Sequence, residues 1–488
     1  MLRHWPRVLL FLGAVLAPTG FALAVEPISR PERYELVIDG ARVIDPASGL
    51  DAVRNVGIRA GSIRAVSEER LEAPARFDAT GMIVAPGFID LHSHGQNEEN
   101  YRFKAMDGVT TALELEVGTP DVDQWYTERE GKSLINFGIS AGHIGARMRV
   151  LGGPGTWLPE PGAAQNEATD SQVNQIKHLV EAGLERGAVA VGLGIQYTPG
   201  VSRWEILEIF RLAAKFDAAC HVHIRHVGEK EPNSALAALE EVVAAATITG
   251  APLHVVHVSS MGLRSTGRLL QAIAEAQSRG LDITTECYPY TASMSPIKSA
   301  IFAEGWQEML GVSYGDLQWV ATGERLTAES FARYREAGGY VIIHSMPELM
   351  VRDTVASPLT MIASDGLLDA GKGHPRSSGT YARVLGRYVR EQQVLTLMEA
   401  IRKMTIMPAE RLEHRVPSMK NKGRLQVGAD ADLVVFDPQT IVDQSTFEQP
   451  AKYSKGVRLV LVGGTSVVKD GKLQDAIAPG RAIRAPLP

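Results

Sequence analysis

The stretch Val84-Ala85-Pro86-Gly87-Phe88-Ile89-Asp90-Leu91-His92-Ser93-His94-Gly95 constrains this chain more than any other. Apolar residues run up to a polar end, the pattern of a buried strand that enters a site at its C-terminal tip. Side chains alternate along a strand, so His92 and His94 point the same way, one pleat apart. Two imidazoles on one face can share a metal ion at about 2.0–2.1 Å per nitrogen, the distance zinc prefers. The plainer reading is a pair of polar residues at a strand end. Further histidines and acids at later strand ends favour the metal.

The chain has 488 residues, 45% of them hydrophobic, which is ample for a large core. Its formal charge is −6, and there is no basic run or interleaving of aromatic and basic residues, so nucleic acid is not an expected partner. Residues 1–24 differ from the rest. Arg3 and Arg7 precede an apolar run from Val8 to Leu16, and Ala22-Leu23-Ala24 offers a small-residue cleavage site. This reads as a secretory signal peptide, too short for a comfortable membrane span, and its Ala-x-Ala end fits cleavage better than a retained anchor. The expected location is the periplasm, with no membrane attachment after the signal is removed. Cys220 and Cys287 sit in apolar, strand-like segments and are expected to be buried free thiols.

From Tyr34 to Ile83 the pattern is short β, and Ala431–Asp437 with Val457–Gly464 gives a matching β segment near the other end. Neither piece has strands enough to bury both faces alone, so the two are expected to join in one small β-sandwich. Its parts are residues 30–84 and 411–488. Between them, strand-like runs recur at Val84–His92, Val109–Glu116, Ile135–His143, Val189–Leu193, Ala219–Ile224, Leu253–Val258, Asp282–Cys287 and Thr360–Asp365. Helical stretches separate many of them. Ser202-Arg203-Trp204-Glu205 is a capping-box start, and the helices over Asn233–Thr249 and Arg264–Arg279 each end at a glycine. Eight such units predict a (β/α)8 TIM-like barrel over 85–410, with its site at the C-terminal ends of the strands. Residues 291–340 break the rhythm and are expected to form a lid at that face.

Further site candidates follow from the strand ends. His221, His223 and Arg225 share a face of the fifth barrel strand, and His223 lies nearer the tip. On the sixth, His254 and His257 face opposite ways; His257 is the better ligand and His254 reads as a packing histidine. The eighth places Asp365 at the rim. On the second, Glu114 and Glu116 alternate with leucines and are expected to point into the barrel. Burying two ionised carboxylates costs several kcal/mol each unless a cation or hydrogen bonds offset it. A metal-bridging Glu116 at the tip resolves that cost, while the deeper Glu114 pairs with a charged group or stays protonated. The rival register turns both outward.

Taken in order, Pro86 to His94, His223-Ile224-Arg225, His257, Glu286-Cys287-Tyr288-Pro289-Tyr290 and Ser364-Asp365-Gly366 resemble the amidohydrolase superfamily. More narrowly they resemble its N-acyl-D-amino-acid deacylase (D-aminoacylase) branch. The match extends through His374-Pro375-Arg376, Gly379-Thr380, Arg383 to Tyr388 and Ala431 to Pro438, and ends at Pro479-Gly480-Arg481. The resemblance implies a zinc amide hydrolase holding one or two ions, other divalent metals being possible. In that pattern His223 and His257 hold one metal, His92, His94 and Asp365 surround a second position, and Asp365 shuttles the proton. His143 either assists or is structural.

Three positions depart from the branch. Glu116 stands where a cysteine is usual, and a carboxylate is the harder ligand. Ser259 replaces a lysine that meets the substrate carboxylate, and Met294 replaces a serine. Tyr288 and Arg376 remain as candidates for holding an anion, beside Ser259 and His143 as further substrate contacts. The implied activity is hydrolysis of a non-peptide or dipeptide-like C–N amide bond in a small molecule, with N-acyl-D-amino acids as the leading substrate class. Hydrolysis of a cyclic amide, as in hydantoinases and dihydropyrimidinases, or of a lactone is the alternative among enzymes. A non-catalytic periplasmic metal-binding module is the alternative outside them, and the oligomeric state stays open.

Overall fold

A computed structural model describes residues 34–153, 157–159 and 162–487, so the signal read at residues 1–24 lies outside them. Eight strands form one parallel sheet, hydrogen-bonded in chain order: Phe88–Asp90, Val109–Thr119, Asn136–Gly142, Val191–Gly194, Cys220–His223, Leu253–Val255, Ile283–Cys287 and Thr360–Ile362. These are the eight expected barrel strands, and they are almost wholly buried, as parallel strands covered by helices should be. Cys220 and Cys287 are buried free thiols.

The barrel closes between its first and eighth strands just beyond their tips. Ser93 bridges Gly366, the Asp365 amide donates to the His92 carbonyl at 2.7 Å, and the Ser364 amide donates to Asp90 Oδ1 at 3.0 Å. Lys104 sits 2.7 Å from Asp90, a buried ion pair that also reaches the Ser364 hydroxyl. The seam therefore carries His92, His94 and Asp365 together.

Strands from both terminal segments form a single nine-stranded sheet. They meet where Ile83–Pro86 runs antiparallel to Leu433–Phe436. Ile38, Val43, Val56, Ile58, Leu433 and Leu459 give this sheet a core separate from the barrel's.

The first predicted strand is in fact two. Ile83–Pro86 belongs to the terminal sheet and Phe88–Asp90 to the barrel. Pro86 has no N–H to continue a ladder, and the Gly87 amide donates to the Asp432 carbonyl at 2.8 Å. A Cβ on Gly87 would lie 2.3 Å from the Thr110 side chain, so glycine alone permits the crossing.

The predicted helices are Arg203–Lys215, Ala235–Thr249 and Thr266–Ser278. Ser202 caps the first by accepting from the Glu205 amide at 3.1 Å. The other half of the expected capping box is missing, because the Glu205 carboxylate turns inward to His143 and Arg147. Between the seventh and eighth barrel strands, Ser293–Pro296, Tyr340–Ile343 and Leu317–Trp319 form a small antiparallel sheet. Stacked aromatics brace it, Trp306 on Phe331 and Trp319 on Tyr334.

Candidate metal centre and active site

At the C-terminal mouth of the barrel, His92 Nε2 lies 3.2 Å from His94 Nε2 and 2.9 Å from Glu116 Oε2. His94 Nε2 is 3.2 Å from both Glu116 Oε2 and Asp365 Oδ1, and His92 Nε2 is 3.6 Å from Asp365 Oδ1. A tetrahedron with arms of about 2.0 Å has edges of about 3.3 Å. The donor set thus fits zinc in both type and spacing. The outer nitrogens give a second test of fit. His92 Nδ1 faces Glu286 at 2.6 Å and His94 Nδ1 faces Glu114 at 2.6 Å. Ionised carboxylates only accept, so each Nδ1 carries a proton and each Nε2 is left pointing at the other. Two such nitrogens 3.2 Å apart need a cation between them and the surrounding acids.

Glu116 is shared. Its Oε2 faces the first pair of histidines, while its Oε1 lies 2.6 Å from His223 Nδ1 and 3.8 Å from His257 Nε2. His92, Glu116 and His257 form one compact group of possible ligands, and His92, His94 and Asp365 another. His223 stands outside both and joins through Glu116, because its Nε2 touches Gln196 Oε1 at 2.6 Å. The second strand therefore has the inward register. Glu114 finds its expected charged partner in His94 and also accepts from the Val117 amide at 3.0 Å.

The electrostatics follow the pairing. Burial works against charge on His92 and His94, yet the acids around them outweigh it and hold both imidazoles well above their ordinary range. Burial opposes ionisation of Glu116 too, but His92, His223 and His257 keep it well below the carboxylate norm. His223 is pulled down, mainly by burial. Asp365 is likewise held low against its burial, chiefly by Arg376, whose Nη2 is 2.9 Å from Oδ2. Asp365 and His257 both have left-handed backbone, φ 51° and 29°. Strain of this kind costs about 1–3 kcal/mol per residue and persists where the surroundings impose it.

Arg376 is fully buried, lies 4.4 Å over the Tyr288 ring, and leaves Nε and Nη1 without partners. Arg376 lines a cavity together with Trp157, Tyr197, Met294, Tyr340 and Leu367. The Tyr288 hydroxyl is buried and unpartnered, and burial pushes it up to about 12, so it remains a donor. Tyr288 packs on Arg376 without lining the cavity itself, and the two other expected substrate contacts do not line it either. His143 begins the helix His143–Leu151 and is committed to Glu205 at 2.8 Å, because the buried Arg147 draws the same carboxylate inward. Ser259 lies buried in the short helix Val258–Gly262, its hydroxyl without a partner.

Glu286 stood in the sequence reading only as the first residue of the Glu286–Tyr290 motif, with no role given to it, and Gln196 did not enter. Glu286 bridges His92 and His254, whose Nε2 is 3.1 Å away, and His254 Nδ1 meets Thr284 Oγ1 at 2.8 Å. The signal for Glu286 was that motif and its place near the end of a barrel strand. Gln196, in a turn after the fourth strand, offered none.

Comparison with known proteins agrees with this geometry. The amidohydrolase family model matches residues 76–137 and 160–468. N-acyl-D-glutamate deacylase of Alcaligenes xylosoxydans xylosoxydans is 31% identical over 93% of this chain and 97% of its own. D-aminoacylase of the same organism is 28% identical, covering 90% and 95%. The crystal structure of N-acyl-D-glutamate deacylase from Bordetella bronchiseptica, complexed with zinc and a phosphonate mimic of the tetrahedral intermediate, superimposes with a TM-score of 0.79. It is 28% identical and covers 93% of this chain and all of that one. With its metal-ligand seam at the mouth of a parallel barrel, the chain belongs to the amidohydrolase family.

Proposed function

We propose that this metal-dependent hydrolase of non-peptide C–N bonds acts on N-acyl-D-amino acids, breaking the amide to release a carboxylic acid and a free D-amino acid. The observation that carries this reading is Arg376, a buried guanidinium beside Asp365 that lines the cavity and has its Nε and Nη1 unpartnered. Each of these free N–H groups can give a charge-assisted hydrogen bond to a carboxylate, and an N-acyl amino acid carries its carboxylate one carbon from the scissile nitrogen. The relatives, which include two deacylases of acylated D-amino acids, support the same class.

His92, His94, Glu116, His223 and His257 would hold one or two zinc ions, with Asp365 beside them. A bound ion supplies Lewis acidity, which brings the pKa of water to about 7. Asp365 stays ionised because Arg376 and the histidines favour its charge. Its Oδ2 is tied to Arg376, which leaves Oδ1 to accept the proton of the attacking water and return it to the leaving nitrogen. Tyr288 has a free hydroxyl to donate to the substrate, and Arg376 anchors the carboxylate.

Asp365→Asn is expected to lower kcat by about 10²–10⁴-fold on an N-acyl-D-amino acid while metal content is retained. Equal rates would remove Asp365 from the mechanism. On the reading of residues 1–24 we also propose a periplasmic location, and recovery of the protein only from the cytosolic fraction of its host would contradict it.

A further inference from the structure

We infer that the cavity selects N-acyl-D-amino acids with one carboxylate and an uncharged, apolar side chain, and rejects those of the dicarboxylic amino acids. The inference rests on the deacylase reading above. Among the described residues lining the cavity, Arg376 is the one permanent cation, and its Nη2 is already bound to Asp365. Both two-pronged edges of a guanidinium include Nη2, so the single free donors that remain, Nε and Nη1, can serve one substrate carboxylate at most.

The rest of the wall offers no second counter-charge. Val117, Trp157, Leu158, Met294, Pro296 and Leu367 present apolar surface. Met294 and Pro296 alternate on the strand Ser293–Pro296 and so share its cavity side, while Ser295 between them turns away to Ser299 at 3.1 Å. Tyr197 and Tyr340 contribute neutral phenols, and Glu116 and Asp365 face the same space. The undescribed neighbours of Trp157 and Leu158, Pro154-Gly155-Thr156 and Glu160-Pro161, include no basic residue.

Arg129 lines an adjoining cavity that shares Trp157 and Leu367 as wall. Its guanidinium is engaged: Nε donates to the Gln96 carbonyl at 3.1 Å, Nη1 donates to the Trp125 carbonyl at 2.8 Å, and the plane lies 4.0 Å over the Trp125 ring. A second substrate carboxylate would thus be stripped of water beside two acids, with no cation to receive it. An apolar side chain gains contact with the same wall.

The test uses the full zinc-loaded protein with N-acetyl-D-leucine, N-acetyl-D-methionine and N-acetyl-D-phenylalanine against N-acetyl-D-glutamate and N-acetyl-D-aspartate. kcat/KM is expected to favour the neutral set by about 100-fold or more. Met294→Lys, which places an ammonium at the half-exposed edge of the wall, is expected to raise kcat/KM on N-acetyl-D-glutamate by about tenfold or more and lower it on N-acetyl-D-leucine. Hydrolysis of the acidic pair within about threefold of the neutral set overturns the selectivity and leaves the deacylase reading standing. No hydrolysis of any of the five removes both. The wild-type ratio decides whether or not the Met294 variant folds.

Discussion

The two sides of the metal centre hold their imidazoles in different ways. His92 and His94 are each backed by a buried carboxylate, Glu286 and Glu114. His223 and His257 are backed by neutral oxygen, from Gln196 at 2.6 Å and the Ser260 hydroxyl at 3.0 Å. A carboxylate on the outer nitrogen makes an imidazole a stronger donor to metal and fixes its tautomer, but it also makes the ring compete for a proton. The amide side avoids that competition, and His223 is pulled down, chiefly by burial. The carboxylate side therefore governs how tightly an ion is kept, and the neutral side accepts it without displacing a proton. Glu116, with one oxygen toward each, joins the two.

The largest test of this contrast removes one backing group from each side. Glu286→Gln is expected to weaken zinc binding by about 10–100-fold, the usual consequence of losing an outer partner. Gln196→Leu is expected to weaken it by less, and equal losses in a metal-competition titration would erase the distinction between the sides.

A smaller effect comes from pH. In the metal-free protein His92 and His94 titrate well above the ordinary value, whereas an unfolded chain releases those protons near pH 6.5. Between about pH 6.5 and 8 the native state then holds more protons than the unfolded one, so stability falls as pH rises. Histidines pulled down by burial, His223 among them, are already deprotonated in the native state and lose their unfolded-state protons at about pH 6.5, so they oppose this trend only at the lower edge of the window. The metal-free protein is expected to lose a few degrees of Tm across it, and the zinc-loaded protein to stay level, because the ion replaces the protons. A flat Tm for the metal-free form would mean that the buried acids do not hold these imidazoles charged.

Much of the architecture was legible because parallel barrel strands are short apolar runs with polar tips. All eight were found where such runs lie, and alternation accounts for Glu116 and His223, which lie on their strands, but not for His257 and Asp365, whose left-handed backbone lies beyond the strand ends. The inward register of Glu114 and Glu116 was legible for the same reason. The division at Pro86–Gly87 was hidden, since hydrophobicity runs on through the turn and does not reveal that the chain changes sheets. Partnerships across the fold were hidden too. Glu286 lies 194 residues from His92 along the chain, and no local pattern joins them. At His143 the sequence left an assisting and a structural role open, and the choice depends on a buried arginine one helical turn later that recruits an acid to the imidazole.

Gly87 gives the terminal sheet a purchase on the chemistry that distance alone would not suggest. It is a hinge pin one residue wide, clamped on one side by the Asp432 carbonyl and on the other by Thr110. Five residues later comes His92. A slip of the peripheral sheet would drag the first ligand out of alignment with the other strands, so loosening this remote layer and releasing the ion should occur together.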